Sequence, residues 1–176
     1  MPGTATFRGP LEFCSNFYWP CPIIVDGKRF VSLLQAYQAA KVTEPEVYDS
    51  VEHAYQAFKF LDPKLREKFR GKGKDALTPA EAKRLARTLK AQGLQRKDWE
   101  QVNLAVMEDL VRQKFQEPKL RKLLLATDPK TLVEGNYWHD NFWGDCSCAK
   151  CADKPKLNHL GRILMKIREE IKRDLS

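Results

Sequence analysis

The sequence predicts an α+β fold, mostly α, as a single compact domain over residues 1–176 with a small hairpin or sheet near its N-terminus. Three observations predict it. The 176 residues correspond to roughly one domain and suffice to bury a core without disulfides. A β-branched run meets Asp26-Gly27 near the start. From Thr78 onward, apolar residues recur with helical period.

The elements follow in order. Asp26-Gly27 separates Pro22-Ile23-Ile24-Val25 from Lys28-Arg29-Phe30, and this dipeptide suits a type I′ turn because both central residues need positive φ. Next, Ser32-Leu33-Leu34-Gln35-Ala36-Tyr37-Gln38-Ala39-Ala40-Lys41 recurs eighteen residues on as Ser50-Val51-Glu52-His53-Ala54-Tyr55-Gln56-Ala57-Phe58-Lys59. Two copies cannot make a solenoid, so this is a local duplication or insertion within one domain. Only the second copy carries ionisable residues at its third and fourth positions, Glu52 and His53. Asp49 or Ser50 can cap a helix there, with Glu52 in its first turn.

Thr78-Pro79-Ala80-Glu81 combines a capping Thr, a Pro at the first helical position and a Glu at the third, which predicts a helix to about Leu89. Asp98 is the next cap, and Trp99, Val102, Val106 and Leu110 form one apolar stripe behind it. Pro118 starts a helix carrying Leu120, Leu123 and Leu124. The last helix buries Leu160, Ile163, Leu164, Ile167 and Ile171 and turns Arg162, Lys166, Glu169, Glu170 and Arg173 to solvent.

Composition narrows the functional class. The first residues hold no apolar run of signal-peptide length, and Ile23-Ile24-Val25 and Leu123-Leu124-Leu125 are too short to span a bilayer. The expectation is a chain of the cytoplasm or nucleus, neither secreted nor membrane-bound. Its five cysteines are an odd number, three of them crowded at Cys146, Cys148 and Cys151, which suits reduced thiols rather than a disulfide framework. That C-x-C-x-x-C could hold a structural zinc with His139, His159 or Asp145 as fourth ligand; the alternative is free loop cysteines. A net charge of +8, from 31 basic and 23 acidic residues, favours an anionic partner: a phosphate-bearing substrate or a nucleic acid.

A collinear set of motifs resembles the NADAR (YbiA-like) family. It comprises Phe13-Cys14-Ser15-Asn16-Phe17-Tyr18, Asp26-Gly27, the helix Ser50 to Lys59, Arg96-Lys97-Asp98-Trp99, Leu124-Leu125-Ala126-Thr127, and Leu132-Val133-Glu134-Gly135-Asn136. Asp140-Asn141-Phe142-Trp143-Gly144 and Asn158-His159-Leu160-Gly161-Arg162-Ile163-Leu164-Met165 complete it. The resemblance implies a YbiA-like, mostly helical fold and cleavage of N-glycosidic bonds without a required cofactor. The implied substrates are ribosylamino-pyrimidine phosphates of riboflavin biosynthesis or ADP-ribosylated guanine, with nucleic acid as a possible carrier of the latter. Two features depart from the family pattern: the extra first repeat copy and the cysteine-bearing loop before Asn158.

Such cleavage builds positive charge on the ribose and negative charge on the departing nitrogen, so it calls for a carboxylate and a proton donor. Glu52 is the first candidate, at a position the family uses for catalysis, against the alternative that it only complements a helix N-terminus. Asp140 could orient water or bind a ribose hydroxyl, or form an Asx turn. Lys59, two helical turns after Glu52, joins them as a catalytic candidate that could trap an opened sugar as a Schiff base. Trp99 and Trp143 offer stacking faces, although Trp99 could equally be core. Arg96 and Arg162 are candidate phosphate ligands. Asn16 and Asn158 could read polar edges or cap helices, and the motifs add Phe17 and Gly144 to the substrate-binding set. The competing class is a noncatalytic module binding ADP-ribose or nucleic acid, for which no RRM, KH or helix-turn-helix signature is present.

Overall fold

The computed structural model describes residues 4–25, 46–70 and 76–175. The Asp26-Gly27 turn, its second stretch through Phe30 and the first repeat copy lie outside them. The architecture is mostly α with six short strands among the described residues, and it divides into two compact units. One runs from Asn16 to Lys114; the other joins the residues through Ser15 to the stretch from Phe115 onward. No helix among the described residues is long and apolar enough to cross a membrane.

In the Asn16–Lys114 unit, strand β2 (Ile23–Val25) pairs antiparallel with β3 (Glu46–Tyr48), Ile24 opposite Val47. Among the described residues, β2's partner is thus distant in sequence. Helix α1 (Val51–Ala57) lies at the centre, packed by β2, β3, α2 (Pro63–Glu67), α3 (Pro79–Ala91) and α4 (Trp99–Lys114). All seven α1 residues are buried. Ser50 is its N-cap, accepting the His53 N–H.

The expected capping box closes α3: Thr78 Oγ1 accepts from Glu81 N–H while the Glu81 carboxylate accepts from Thr78 N–H. The helix runs two residues past Leu89. It stops where Gly93 takes φ 74°, with the Leu94 N–H on Leu89 O and the Gly93 N–H on Lys90 O, a Schellman ending. Asp98 directly precedes α4, and its carboxylate is bound by Arg96. The stripe Trp99, Val102, Val106 and Leu110 is buried as expected.

In the other unit, β1 (Thr4–Thr6) pairs parallel with β4 (Thr131–Val133), and helix α6 (His159–Arg173) covers β4 and packs on α5 (Pro118–Leu125). The predicted α6 stripe is buried throughout. In α5, Leu120 and Leu124 face the core but Leu123 is exposed, one position off the 3.6-residue stripe. A second parallel pair, β5 (Gly135–Asn136) with β6 (Asp145–Cys146), frames the loop that carries Tyr137, Trp138, Phe142 and Trp143, and the clustered cysteines begin in β6 and continue past it.

Gly161 lets α6 approach β4: a Cβ there would stand 2.2 Å from Leu132 O and 2.5 Å from the Asn158 amide nitrogen. Gly161→Ala should therefore cost about 1–3 kcal/mol or more by overpacking. At Gly93 a Cβ would meet nothing within 4 Å, so Gly93→Ala carries only left-handed backbone strain, about 1–2 kcal/mol, and Gly93→Asn less. Urea midpoints at constant m-value check both; a Gly161→Ala variant as stable as the parent would contradict the close approach.

Candidate active site

Glu52 sits in the first turn of α1 and is 2% exposed. Its Oε1 accepts from Gln56 Nε2 at 2.6 Å, one turn along, and its Oε2 accepts from the Asn16 side-chain amide. Asn16 also meets the backbone, its carbonyl accepting the Glu52 N–H at 3.1 Å. Complementing a helix N-terminus needs no such burial, so that bland account of Glu52 falls short. Because the carboxylate takes the Gln56 NH2, the orientation of that amide is set, and Gln56 Oε1 is left buried without a hydrogen-bond partner among the described residues.

His53 is structural. A carbonyl can only accept, so the 2.7 Å contact with Leu77 O puts the proton on Nε2, leaving Nδ1 to accept the Ser50 hydroxyl at 2.8 Å. Burial lowers its pKa, against opposing effects of the Leu77 carbonyl and Asp49.

Lys59 lies beyond the end of α1, so the expected two-turn helical spacing from Glu52 is not what brings it near. The chain leaves the helix at Phe58, and the Lys59 carbonyl accepts the Arg96 N–H at 2.8 Å. The Lys59 ammonium stands 5.4 Å from the Tyr55 ring centre and 5.8 Å from that of Trp99. Burial lowers its pKa from the ordinary 10.5 to about 8; Glu52 opposes the shift, while Lys83, Lys90 and Arg87 add to it. Those three basic residues are spaced i, i+4, i+7 on α3, a face the sequence reading passed over although its spacing was legible. At the same rim, the Lys83 ammonium lies 5.5 Å from the centre of the half-exposed Phe17 ring.

Two sequence candidates in this unit are scaffold. Trp99 is 4% exposed and packs on Tyr55 at 5.0 Å, so it is a core residue rather than an open stacking face. Arg96 is buried, and its Nε and Nη2 both bind Asp98 at 2.6 Å as a bidentate pair.

In the other unit, Asp140 Oδ1 accepts the N–H groups of Phe142 and Trp143 at 3.1 and 2.9 Å, the Asx-turn alternative. Asn136 holds the Asp140 backbone from both sides, donating to its carbonyl and accepting from its N–H. Asn158, with φ 47°, donates to Leu132 O and accepts from Glu134 N–H, so its amide ties α6 to β4. Gly144 is required by close approach, since a Cβ would stand 2.1 Å from Glu134 O. Trp143 is half-buried, edge-on to Phe142 at 5.0 Å, whereas Tyr137 and Trp138 are exposed. Arg162 is exposed on α6. The ligand atoms of His139, Cys146, Cys148 and Cys151 all lie within 4.8 Å of one another, a set that could hold a metal ion.

The chain is similar to known proteins along most of its length. It is 40% identical to the Escherichia coli (strain K12) N-glycosidase YbiA over 159 residues, covering 89% of this chain and 79% of that protein. It is 39% identical over 160 residues to a riboflavin biosynthesis protein of Vibrio vulnificus, 90% of this chain but only 35% of that longer relative. The solved solution structure of Escherichia coli YbiA matches with a TM-score of 0.72 and 33% identity, covering 99% of this chain and 89% of that one. The class is that of hydrolases acting on N-glycosyl bonds, built on the YbiA fold. The NADAR domain profile matches residues 6–172, and the chain belongs to the NADAR family.

The lowered Lys59 pKa gives a measurable coupling. The amine should acylate with a midpoint near pH 8, and Glu52→Gln, by removing the charge that opposes the shift, should move that midpoint lower. Between about 8 and 10.5 the unfolded chain binds the proton that folded Lys59 has lost, so its contribution to stability grows as pH rises through that window and falls as pH drops through about 8. Pulse acylation read by peptide mass spectrometry tests this; a Lys59 midpoint near that of exposed lysines would contradict it.

Proposed function

We propose that the chain hydrolyses the bond between a phosphorylated ribose, or the ribose of ADP-ribose, and an amino nitrogen of a base-like group, with Glu52 and Lys59 as the reacting groups. One observation carries the reading: a buried carboxylate with both oxygens held by amides, electrostatically coupled to a lysine whose amine titrates at about 8. Glu52 stabilises the positive charge that grows on the ribose as the C–N bond lengthens and directs the attacking water. Lys59, still mostly protonated at neutral pH, donates to the departing nitrogen, since a donor works best with its pKa near the working pH. The unpartnered Gln56 Oε1 accepts from a ribose hydroxyl, and the face of Lys83, Arg87 and Lys90 takes the phosphate. Acid and charge stabilisation both come from side chains, so the step needs no cofactor.

The names of the matched relatives, N-glycosidase and riboflavin biosynthesis protein, favour an N-riboside such as a ribosylamino-pyrimidine phosphate; ADP-ribosylated guanine is the other substrate that the motif resemblance implies. We also read residues 1–176 as one domain, because the family profile runs through both units.

Mass spectrometry of products from a panel of N-ribosylated phosphates and ADP-ribosylated guanosine identifies the substrate. On it, Glu52→Gln should keep the fold, because the Asn16 and Gln56 amides can turn to meet the new one, yet lower kcat/KM at least about 100-fold. Wild-type turnover by that folded variant would sink the assignment. The kcat/KM of the parent should fall as pH rises through about 8, a limb that Lys59→Met abolishes. A rise through the same pH, with borohydride trapping of a covalent adduct, would instead make the free amine a nucleophile.

A further inference from the structure

We propose that His139 Nδ1 and the thiolates of Cys146, Cys148 and Cys151 form a closed four-ligand site for one zinc ion, a structural centre separate from the Glu52 cluster. The geometry of the donor atoms carries the assignment. Tetrahedral zinc with bonds of about 2.3 Å to sulfur and 2.0–2.1 Å to nitrogen requires donor–donor edges of about 3.6–3.8 Å. Here His139 Nδ1 is 3.1 Å from Cys148 Sγ and 3.5 Å from Cys151 Sγ, and no two of the four donors are more than 4.8 Å apart. Movements of a few tenths of an ångström to about one ångström complete a tetrahedron.

The backbone prepares this convergence. Cys146 lies in β6, held by its pairing with β5. Cys148 immediately precedes the 3-10 turn Ala149–Cys151, and the Cys151 N–H donates to Cys148 O at 3.0 Å, which puts the two thiols one tight turn apart. His139 adopts φ 71°, and its N–H points to Cys146 Sγ at 3.3 Å, a backbone donor to a sulfur that becomes anionic on binding.

The two rival fourth ligands are otherwise engaged. The His159 ring packs 4.7 Å from Phe142 and 6.3 Å from Trp143, and the Asp145 carboxylate meets Lys156 Nζ at 2.8 Å. Three soft thiolates with one imidazole select zinc over harder cations, and four protein ligands leave no open position for a reacting water. Binding releases the three thiol protons, leaving a centre of net charge −1 in a segment that holds Lys150, Lys154 and Lys156.

The segment has reason to need a cross-link. Tyr137 and Trp138 are exposed, and every residue from Ala152 to Leu157 is exposed, so apolar burial alone contributes little to it. His139 directly precedes Asp140, whose side chain holds the turn into Trp143; the metal thereby fixes that turn.

The test is metal analysis of the full chain purified without chelator, with X-ray absorption at the zinc edge. About one zinc per chain with three sulfurs and one nitrogen is expected. Cys148→Ser and His139→Asn should each lose most of the metal, whereas His159→Asn should keep it. In the parent, a strong chelator should lower the melting temperature and expose the three thiols to a thiol reagent, with added zinc reversing both. Absence of stoichiometric zinc, iron in its place, thiols that titrate fully before chelation, or metal lost in His159→Asn would each overturn the proposal. None of these outcomes bears on Glu52, so the glycosidase reading stands or falls separately.

Discussion

The Asn16–Lys114 unit depends on keeping a carboxylate inside a helix that has no solvent-facing side. Every residue of α1 is buried, so Glu52 cannot turn outward to recover its hydration. An ionised carboxylate that loses water without replacement costs several kcal/mol. Asn16 and Gln56 replace that water, one from the segment leading to β2 and one from the next turn of the same helix. Asn16 also accepts the Glu52 N–H, which ties its segment to the start of α1 by backbone as well as side chain. His53 meets the same demand differently, remaining neutral and spending both ring nitrogens on Ser50 and Leu77.

The same burial sets the chemistry of the neighbouring lysine. Lys59 leaves α1 under the backbone hold of Arg96, and Arg96 is held in turn by Asp98 at the start of α4. This chain of contacts seats Trp99 against Tyr55 and puts the ammonium near both rings. Partial desolvation together with the like charges of Lys83, Arg87 and Lys90 makes the proton easier to lose, and Glu52 limits the effect. A residue that resembles ordinary surface charge in the sequence is therefore tuned by contacts that the linear chain does not reveal.

In the other unit, polar side chains serve mainly the backbone. The loop between β5 and β6 has little regular pairing, so its N–H and C=O groups need other partners. Asn136 supplies two bonds to Asp140, Asp140 supplies two to the turn at Trp143, and Asn158 supplies two to the β4 region. Gly144 and Gly161 belong to the same framework, each leaving room for a carbonyl that a side chain would strike.

Local chemistry was legible in the amino-acid sequence. The capping box at Thr78, the buried stripes of α4 and α6, the capped helix with Glu52 in its first turn and the crowding of three thiols all arise from residues within a turn or two of each other, where short-range geometry decides. Tertiary structure alone decided which polar groups were already spoken for. Arg96 and Asn158 carry the side chains expected of ligand-binding residues, yet Arg96 commits Nε and Nη2 to Asp98 and Asn158 bonds the β4 backbone. It also decided that β2 pairs with β3, that His139 rather than His159 or Asp145 joins the thiols, and that burial lowers the Lys59 pKa to about 8. Burial and long-range partners belong to the folded chain, and a side chain's availability for chemistry is what remains after they are satisfied.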